Sequence, residues 1–142
     1  MQKIVIGSDH AGFEMKEKIK KSFASKYEFS DKGTYSADSV DYPDYAHQVA
    51  EAIVSGDFEK GILLCGSGNG VAMAANKHHG IRAALCWTPE IAGLARQHND
   101  ANILCIPARF VDEKTAFEMI ERFFDISFEG GRHLKRVEKI DC

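Results

Sequence analysis

Residues 60–78, "KGILLCGSGNGVAMAANKH", join an apolar run to a segment of helical periodicity through three alternating glycines. A short run that is apolar throughout is typical of a strand buried on both faces, as in parallel sheets. Glycine loses more conformational entropy on folding than any other residue, so three of them within five positions lower stability. The stretch therefore predicts a buried strand, a turn that requires bare backbone, and a helix.

The same alternation of strand and helix extends along the whole chain. Predicted strands cover residues 3–8, 27–31, 60–65, 81–87 and 102–108. Predicted helices cover residues 11–26, 43–55, 70–78 and 89–97, a segment that follows Asp112, and a segment of about 131–140. This pattern predicts a single α/β domain over residues 1–142, with a doubly wound, five-stranded parallel sheet between two helical layers, as in Rossmann-like folds.

Local signals define some of these helices more closely. In the first helix Met15, Ile19 and Phe23 are spaced to share one face, and we expect the lysines to occupy the opposite, solvated face. Thr88 followed by Pro89 is typical of an N-cap and first helical residue, and Asp112 is typical of an N-cap.

Composition excludes several classes of protein. The chain has 142 residues, of which 44% are hydrophobic and 27% charged, and its net charge is −3. That charge gives no reason to expect bulk affinity for nucleic acid or for an anionic membrane. The N-terminal apolar run is too short for a signal peptide, and no run is long enough to span a membrane, so we expect a cytoplasmic protein.

The four cysteines are Cys65, Cys86, Cys105 and Cys142, and none belongs to a CxxC pair. We therefore expect no structural zinc site and, in a reducing compartment, no disulfide. Cys86 and Cys105 lie in apolar runs and are expected to be small buried side chains, whereas Cys65 is followed at once by glycines.

Three of the six histidines give no functional signal. His78 and His79 are adjacent and point to different faces, so we expect surface positions that cannot share a metal ion. His47 falls on a helix face that is expected to be exposed, and we assign it no role.

Ligands of doubly wound folds bind beyond the carboxyl ends of the strands, where the strand order reverses. Asp9 and His10 follow the first strand, residues 65–70 end the third, and Arg109 follows the fifth. If the first and third strands are neighbours, Asp9, His10 and Cys65 meet in one crevice. The alternative for Asp9 is a cap on the next helix.

A glycine-rich turn that enters a helix presents several backbone N–H groups to an anion. The spacing GxGxG differs from the dinucleotide fingerprint, and the P-loop lysine is absent, so neither a nicotinamide cofactor nor ATP is expected. A helix N-terminus favours the thiolate of Cys65. Such a base can remove a proton beside a carbonyl while the N–H groups hold the oxyanion and Ser67 relays a proton. The alternative is a nucleophilic, acyl-transfer cysteine with His10 or His98 as its base.

Two further polar groups are ambiguous. His98 and Asn99 end a predicted helix and act either in a site or as a C-terminal cap. Arg132 and Arg136, four residues apart, form either a phosphate-binding fork or a solvated basic face.

Five segments in order resemble the ribose-5-phosphate isomerase B family, which includes galactose-6-phosphate isomerase subunits. They are "GSDHAGFEMK", "DKGTYSADSVDYPDYA", "GILLCGSGNGVAMAANKHHGIRAAL", "ARQHNDANIL" and "EGGRHLKRVEKI". The resemblance extends from residue 3 to about residue 140. It implies interconversion of D-ribose 5-phosphate and D-ribulose 5-phosphate through a cis-enediolate, without a metal or organic cofactor. It also implies the strand order 2-1-3-5-4.

The resemblance further assigns roles to individual residues. By similarity, Cys65 is the base, Ser67 exchanges a proton between O1 and O2, and His98, supported by Asp9, opens the sugar ring. The remaining implied substrate contacts are the loop residues Gly66, Gly68, Asn69 and Gly70, the hydroxyl contacts Tyr42 and Asn99, and the phosphate contacts His10, Arg109, Arg132 and Arg136. Family members are homodimers, or tetramers, whose sites lie between subunits, with the C-terminal arginines reaching the partner.

Two alternatives stay open at this point. One is an isomerase of a six-carbon sugar phosphate, either allose 6-phosphate or galactose 6-phosphate. Galactose-6-phosphate isomerase divides its catalytic residues between two unlike subunits, whereas this chain carries the whole set, which favours a homodimer. The other alternative is a non-catalytic module that binds a phosphosugar, which would have no use for a thiolate beside the loop.

Overall fold

Five strands form one parallel sheet in the computed structural model, which describes residues 1–142. They are β1 (Gln2–Ser8), β2 (Tyr27–Asp31), β3 (Gly61–Cys65), β4 (Ala83–Leu85) and β5 (Ile103–Pro107). Their order is β2-β1-β3-β5-β4, and every pair is parallel. The predicted sheet and strand order are confirmed. The order reverses between β1 and β3, so the ends of these two strands form the topological switch point.

Six α-helices and one short 3-10 turn connect and follow the strands. The helices are α1 (Phe13–Ser22), α2 (Tyr42–Val54), α3 (Asn69–Ala75), α4 (Pro89–Asn99), α5 (Glu113–Asp125) and α6 (Leu134–Glu138). The 3-10 turn covers Gly131–His133 and leads directly into α6, where the sequence predicted one continuous helix. Both predicted N-caps are confirmed, since Thr88 accepts a hydrogen bond from the amide of Ile91 and Asp112 from that of Thr115.

Helices cover both faces of the sheet and bury a separate apolar cluster on each. Along β1, Ile4 and Ile6 face the larger cluster, to which α1, α4 and α5 contribute. Val5 points to the opposite face, where α2 and α3 pack. The central strands β1, β3 and β5 are buried at nearly every position, whereas the edge strands β2 and β4 are mostly half-buried. Because the central strands are covered on both faces, they read in the sequence as continuous apolar runs.

The edge strand β4 and the first helix α1 differ most from the sequence prediction. Strand β4 has only three residues, and the first helix begins at Phe13 and ends at Ser22. Lys16 of that helix was expected on the solvated face, and this expectation is wrong. Its side chain is completely buried, and Nζ lies 2.7 Å from Asp31 Oδ1 and 2.6 Å from the Thr34 carbonyl. The segment after β2 covers this position.

No helix combines the length with the apolar character needed to cross a membrane.

Candidate active site

Cys65 is the last residue of β3 and lies at the switch point. Its Sγ accepts a hydrogen bond of 3.1 Å from the amide of Gly68, in the turn that leads into α3. The side chain packs against the cluster under α2 and α3 and is only 5% exposed, yet it lines an open cavity. The thiol is therefore held by the glycine loop at the boundary between the core and the cavity.

A side chain would be disfavoured to different degrees at the three loop glycines. Gly68 has a φ of +75°, a left-handed conformation that side chains rarely adopt. A Cβ on Gly66 would lie 3.2 Å from Arg109 Nη1, and a Cβ on Gly70 would lie 2.5 Å from Tyr42 Cε1. One glycine thus forms the turn, and the other two let a guanidinium and a phenol approach the backbone closely.

The cavity beside Cys65, here called the cysteine pocket, has a volume of about 550 Å³. It is lined by Asp9, His10, Ala11, Tyr42, Cys65, Gly66, Ser67, Asn69, Gly70, Met73, Arg109 and Phe110. Nine of these are site residues predicted from the sequence, while Gly68 contributes its amide to the sulfur. The carboxyl ends of β1, β3 and β5 therefore bring all of these predicted residues together except Tyr42, which the start of α2 supplies.

Asp9 has one carboxylate oxygen committed to local structure. Oδ1 accepts hydrogen bonds from the amides of Ala11 and Gly12, at 2.9 and 3.1 Å, and so caps the turn that enters α1. Oδ2 makes no hydrogen bond within the chain. Asp9 therefore caps the turn before α1, which was the alternative to a role in the site. Its second carboxylate oxygen remains available at the cysteine pocket.

His10 is oriented by the loop that precedes α2. Its Nδ1 accepts a hydrogen bond of 3.2 Å from the amide of Val40. An accepting Nδ1 carries no proton, so in the neutral ring the proton is on Nε2. His10 therefore has an N–H donor on the side of the ring away from the loop.

Four predicted site residues lie outside the cysteine pocket: His98, Asn99, Arg132 and Arg136. Helix α4 begins after β4 at the carboxyl edge of the sheet and runs back, so its last residues His98 and Asn99 precede β5 at the amino edge. Asn99 lines a different cavity, with Ile81 and Asp141. Both arginines are exposed in the C-terminal segment. A single chain therefore presents two separate groups of site residues.

His98 is part of a small cluster of ionisable side chains. Its ring stacks on that of His133, with centroids 4.3 Å apart and an interplanar angle of 14°. Oε2 of Glu129 lies 4.0 Å from Nε2 of His98 and 3.5 Å from Nε2 of His133. Burial, with the nearby His98 and Arg132, lowers the pKa of His133. The position of His98 at a predicted helix end marked it as a candidate, but no pattern in the sequence connects it with Glu129 or His133.

The other cysteines do not share the environment of Cys65. Burial raises the pKa of Cys86 to about 12 and that of Cys105 well above its ordinary value. Both are buried among apolar neighbours, as predicted, and a thiol that stays protonated is unreactive. Cys142 is exposed at the chain end.

Two further features were missed or misjudged from the sequence. Met73 and Phe110, exposed by 67% and 76%, line the mouth of the cysteine pocket. Apolar side chains in loops and helices carry no chemical signal of such a role.

His47 and His78 were expected at the surface. Instead they are half-buried and form a hydrogen bond of 2.7 Å between Nδ1 and Nε2, because α2 packs against the end of α3.

Comparison with known proteins identifies relatives over nearly the whole chain. The family model described as Ribose/Galactose Isomerase matches residues 4–140. The ribose-5-phosphate isomerase B of Escherichia coli (strain K12) is 45% identical over 141 residues, which is 99% of this chain and 95% of the relative. A probable ribose-5-phosphate isomerase B of Mycoplasma pneumoniae is 46% identical, over 96% of this chain and 91% of the relative.

Solved structures show the same likeness. A ribose 5-phosphate isomerase from Thermotoga maritima superposes with a TM-score of 0.97 at 52% identity, over 99% of this chain and 97% of that one. Ribose-5-phosphate isomerase B from Mycoplasma genitalium, solved with bound ribulose-5-phosphate, gives a TM-score of 0.93 at 42% identity, over 97% and 93% of the two chains.

Proposed function

Because the chain belongs to the ribose/galactose isomerase family, we propose that it interconverts D-ribose 5-phosphate and D-ribulose 5-phosphate. It is an aldose–ketose isomerase. The observation that carries this conclusion is the likeness to ribose-5-phosphate isomerase B over almost the entire chain, including to a protein that holds ribulose-5-phosphate. The cysteine pocket supplies a thiol beside backbone donors, which suits proton transfer next to a carbonyl.

In this proposal Cys65 is the base. Its thiolate removes the proton from C2 of the open-chain aldose, and the electron pair of that C–H bond forms the C1–C2 double bond of a cis-enediolate. The negative charge moves to O1, beside the amides of the glycine loop. Ser67 relays the proton of O2 to O1, and the thiol returns its proton to C1, which gives the ketose and restores the thiolate.

Substrate recognition divides between the sugar and the phosphate. Tyr42 and Asn99 contact sugar hydroxyls. His10 donates from Nε2–H to the phosphate, since the loop amide of Val40 already occupies Nδ1. Arg109 lies over Gly66 at the same pocket, and Arg132 and Arg136 complete the phosphate contacts.

Ring opening requires a second chain in this proposal. His98, supported by Asp9, transfers the proton that opens the furanose, yet within one chain His98 lies at the opposite edge of the sheet from Asp9. A homodimer in which the C-terminal segment reaches the partner would bring the two groups together. The separation of His98 from Asp9 within one chain supports active sites between subunits.

A catalytic thiol must stay reduced, so the proposed location of the protein is the cytoplasm, where thiols are kept reduced.

The purified protein tests the proposal directly. We expect turnover of ribose 5-phosphate, measured by formation of the ketose in the presence of a chelator, to exceed turnover of allose 6-phosphate and galactose 6-phosphate. Faster reaction of a six-carbon substrate would transfer the assignment to that sugar. Binding of ribose 5-phosphate without any isomerisation would instead favour a phosphosugar-binding module.

A further inference from the structure

His98, Glu129 and His133 form a cluster that ring opening uses only in part. One ligand atom from each of the three lies within 4.8 Å of the other two. The carboxylate oxygen Oε2 is 3.5 Å from one imidazole nitrogen and 4.0 Å from the other, which is too long for a hydrogen bond. The three groups therefore face one another without being bonded to one another.

These separations are longer than those that a metal ion imposes, by about 1.5 Å at most, so the ligands must close slightly around an ion. Tetrahedral zinc holds nitrogen and oxygen ligands at about 2.0 Å, so two ligand atoms on one ion lie about 3.3 Å apart. Two histidines and one glutamate are also a known ligand set for zinc, with the fourth position left to water or another molecule. We propose that His98, Glu129 and His133 bind a divalent transition ion such as Zn²⁺, and that the bound ion inhibits the enzyme by occupying His98.

The fold brings the three ligands together but buries only one of them. The amide of Glu129 donates a hydrogen bond of 3.0 Å to the carbonyl of Gln97, the residue before His98. The side chain of His133 is only 10% exposed, whereas that of His98 is 39% exposed. The two rings are nearly parallel, so a single ion cannot lie in both ring planes. The half-exposed His98 must rotate to join the ion, which removes it from its stacked position.

Metal type follows from the ligands. Imidazole nitrogen suits zinc, copper and nickel, whereas magnesium and calcium prefer sites made of oxygen atoms. No other group of three ligating side chains is as close in this chain. His79 and Asp141, 3.9 Å apart near the exposed Cys142, form only a pair and provide a matched control.

Calorimetric titration of the full-length protein with Zn²⁺ tests the site. We expect one ion per chain, and a loss of affinity in His133→Asn and in Glu129→Gln at least as large as the roughly 10- to 100-fold that loss of an outer partner of a metal ligand costs. The control His79→Asn should bind as the unchanged protein does. Equal binding by all four proteins, or no binding by any, would overturn the proposal.

Co²⁺ in place of Zn²⁺ identifies the donor atoms. We expect the visible absorption of a tetrahedral ion with nitrogen and oxygen donors. A thiolate-to-metal charge-transfer band would place the ion on a cysteine and overturn the site.

Inhibition rests on the proposed role of His98, and the binding data separate the two ideas. We expect Zn²⁺ to inhibit the unchanged enzyme and His79→Asn equally, and to inhibit His133→Asn, relative to its own metal-free rate, only at concentrations at least tenfold higher. Binding at the cluster with no inhibition would overturn the inhibitory part and would also contradict ring opening by His98. Absence of isomerase activity in the metal-free protein would contradict the proposed function, while the calorimetry would still decide the metal site.

Discussion

At the scale of single residues, Cys65 differs from the other cysteines because it lines the cysteine pocket and accepts a hydrogen bond from a backbone amide. We expect Cys65→Ala to lower kcat by roughly 10²- to 10⁴-fold, the usual contribution of a general base. The KM for ribose 5-phosphate should change little, because the proposed phosphate contacts remain. Steady-state kinetics and calorimetric binding of the substrate measure the two effects.

Cys142→Ser is the matched control, because that thiol is exposed at the chain end and lines no part of the cysteine pocket. It should keep the full rate. A Cys65→Ala variant with normal kcat would show that another group removes the proton.

Gly70 shows how a missing side chain shapes the same pocket. An alanine Cβ would lie 2.5 Å from the Tyr42 ring, so the ring must move. We expect Gly70→Ala to lower the free energy of unfolding by about 1–3 kcal/mol, as overpacking does, and to raise KM because Tyr42 is displaced.

A double-mutant cycle with Tyr42→Ala isolates that contact. Removal of the ring should relieve the strain, so the double variant should lose less stability in urea unfolding than the sum of the single losses. Strict additivity would mean that the methyl group and the ring do not meet.

At the scale of elements, the pair formed by Lys16 and Asp31 attaches the end of β2 to α1. Lys16 is completely buried, and Asp31 also accepts hydrogen bonds from Lys20 and from the amide of Gly33. The same segment supplies the carbonyl of Thr34 to Lys16 and then continues toward the loop that orients His10. The pair therefore holds the beginning of a loop that reaches the cysteine pocket.

The pH dependence of stability follows from Asp31. Although burial works against it, hydrogen bonds from Lys16, Lys20 and Gly33 lower the pKa of Asp31. A lowered folded-state pKa contributes stability above the unfolded value of about 3.9 and loses it as the pH falls through the folded value. We expect Asp31→Asn to remove part of the acid-side fall in the free energy of unfolding.

At neutral pH the same change should cost about 3–5 kcal/mol, because it leaves the Lys16 charge buried without its partner. Asp125→Asn is the control, since Asp125 is 59% exposed and pairs with the exposed Lys26. It should cost no more than about 1 kcal/mol. Chemical denaturation at several pH values and one protein concentration compares the variants, and equal losses in both would contradict the role given to burial.

The elements also show what sequence patterns can and cannot predict. The central strands were predicted to within a residue or two because strands covered on both faces are apolar at every position. Lys16 was misplaced because helical periodicity defines a face but not what covers it. The strand-tip rule found Asp9, His10 and Cys65, whereas Glu129 and His133 meet His98 only through the folded path of the C-terminal segment.

At the scale of the whole molecule, one chain separates the proposed base from the residue proposed to open the ring. Two inactive variants should therefore complement each other if active sites form between subunits. We expect Cys65→Ala and His98→Asn each to inactivate both sites of their own homodimer. A mixed dimer combines the intact Cys65 of one chain with the intact His98 of the other at one of its two sites.

Equal amounts of the two variants, unfolded together and refolded, should form mixed dimers as about half of the population. Since each has one intact site out of two, about a quarter of the unchanged enzyme's activity toward ribose 5-phosphate should return, as two-fold symmetry requires. The variants refolded separately and then combined without exchange of chains are the control and should stay inactive. No recovery after co-refolding, with mixed dimers demonstrated by differently tagged chains, would mean that each site is built from a single chain.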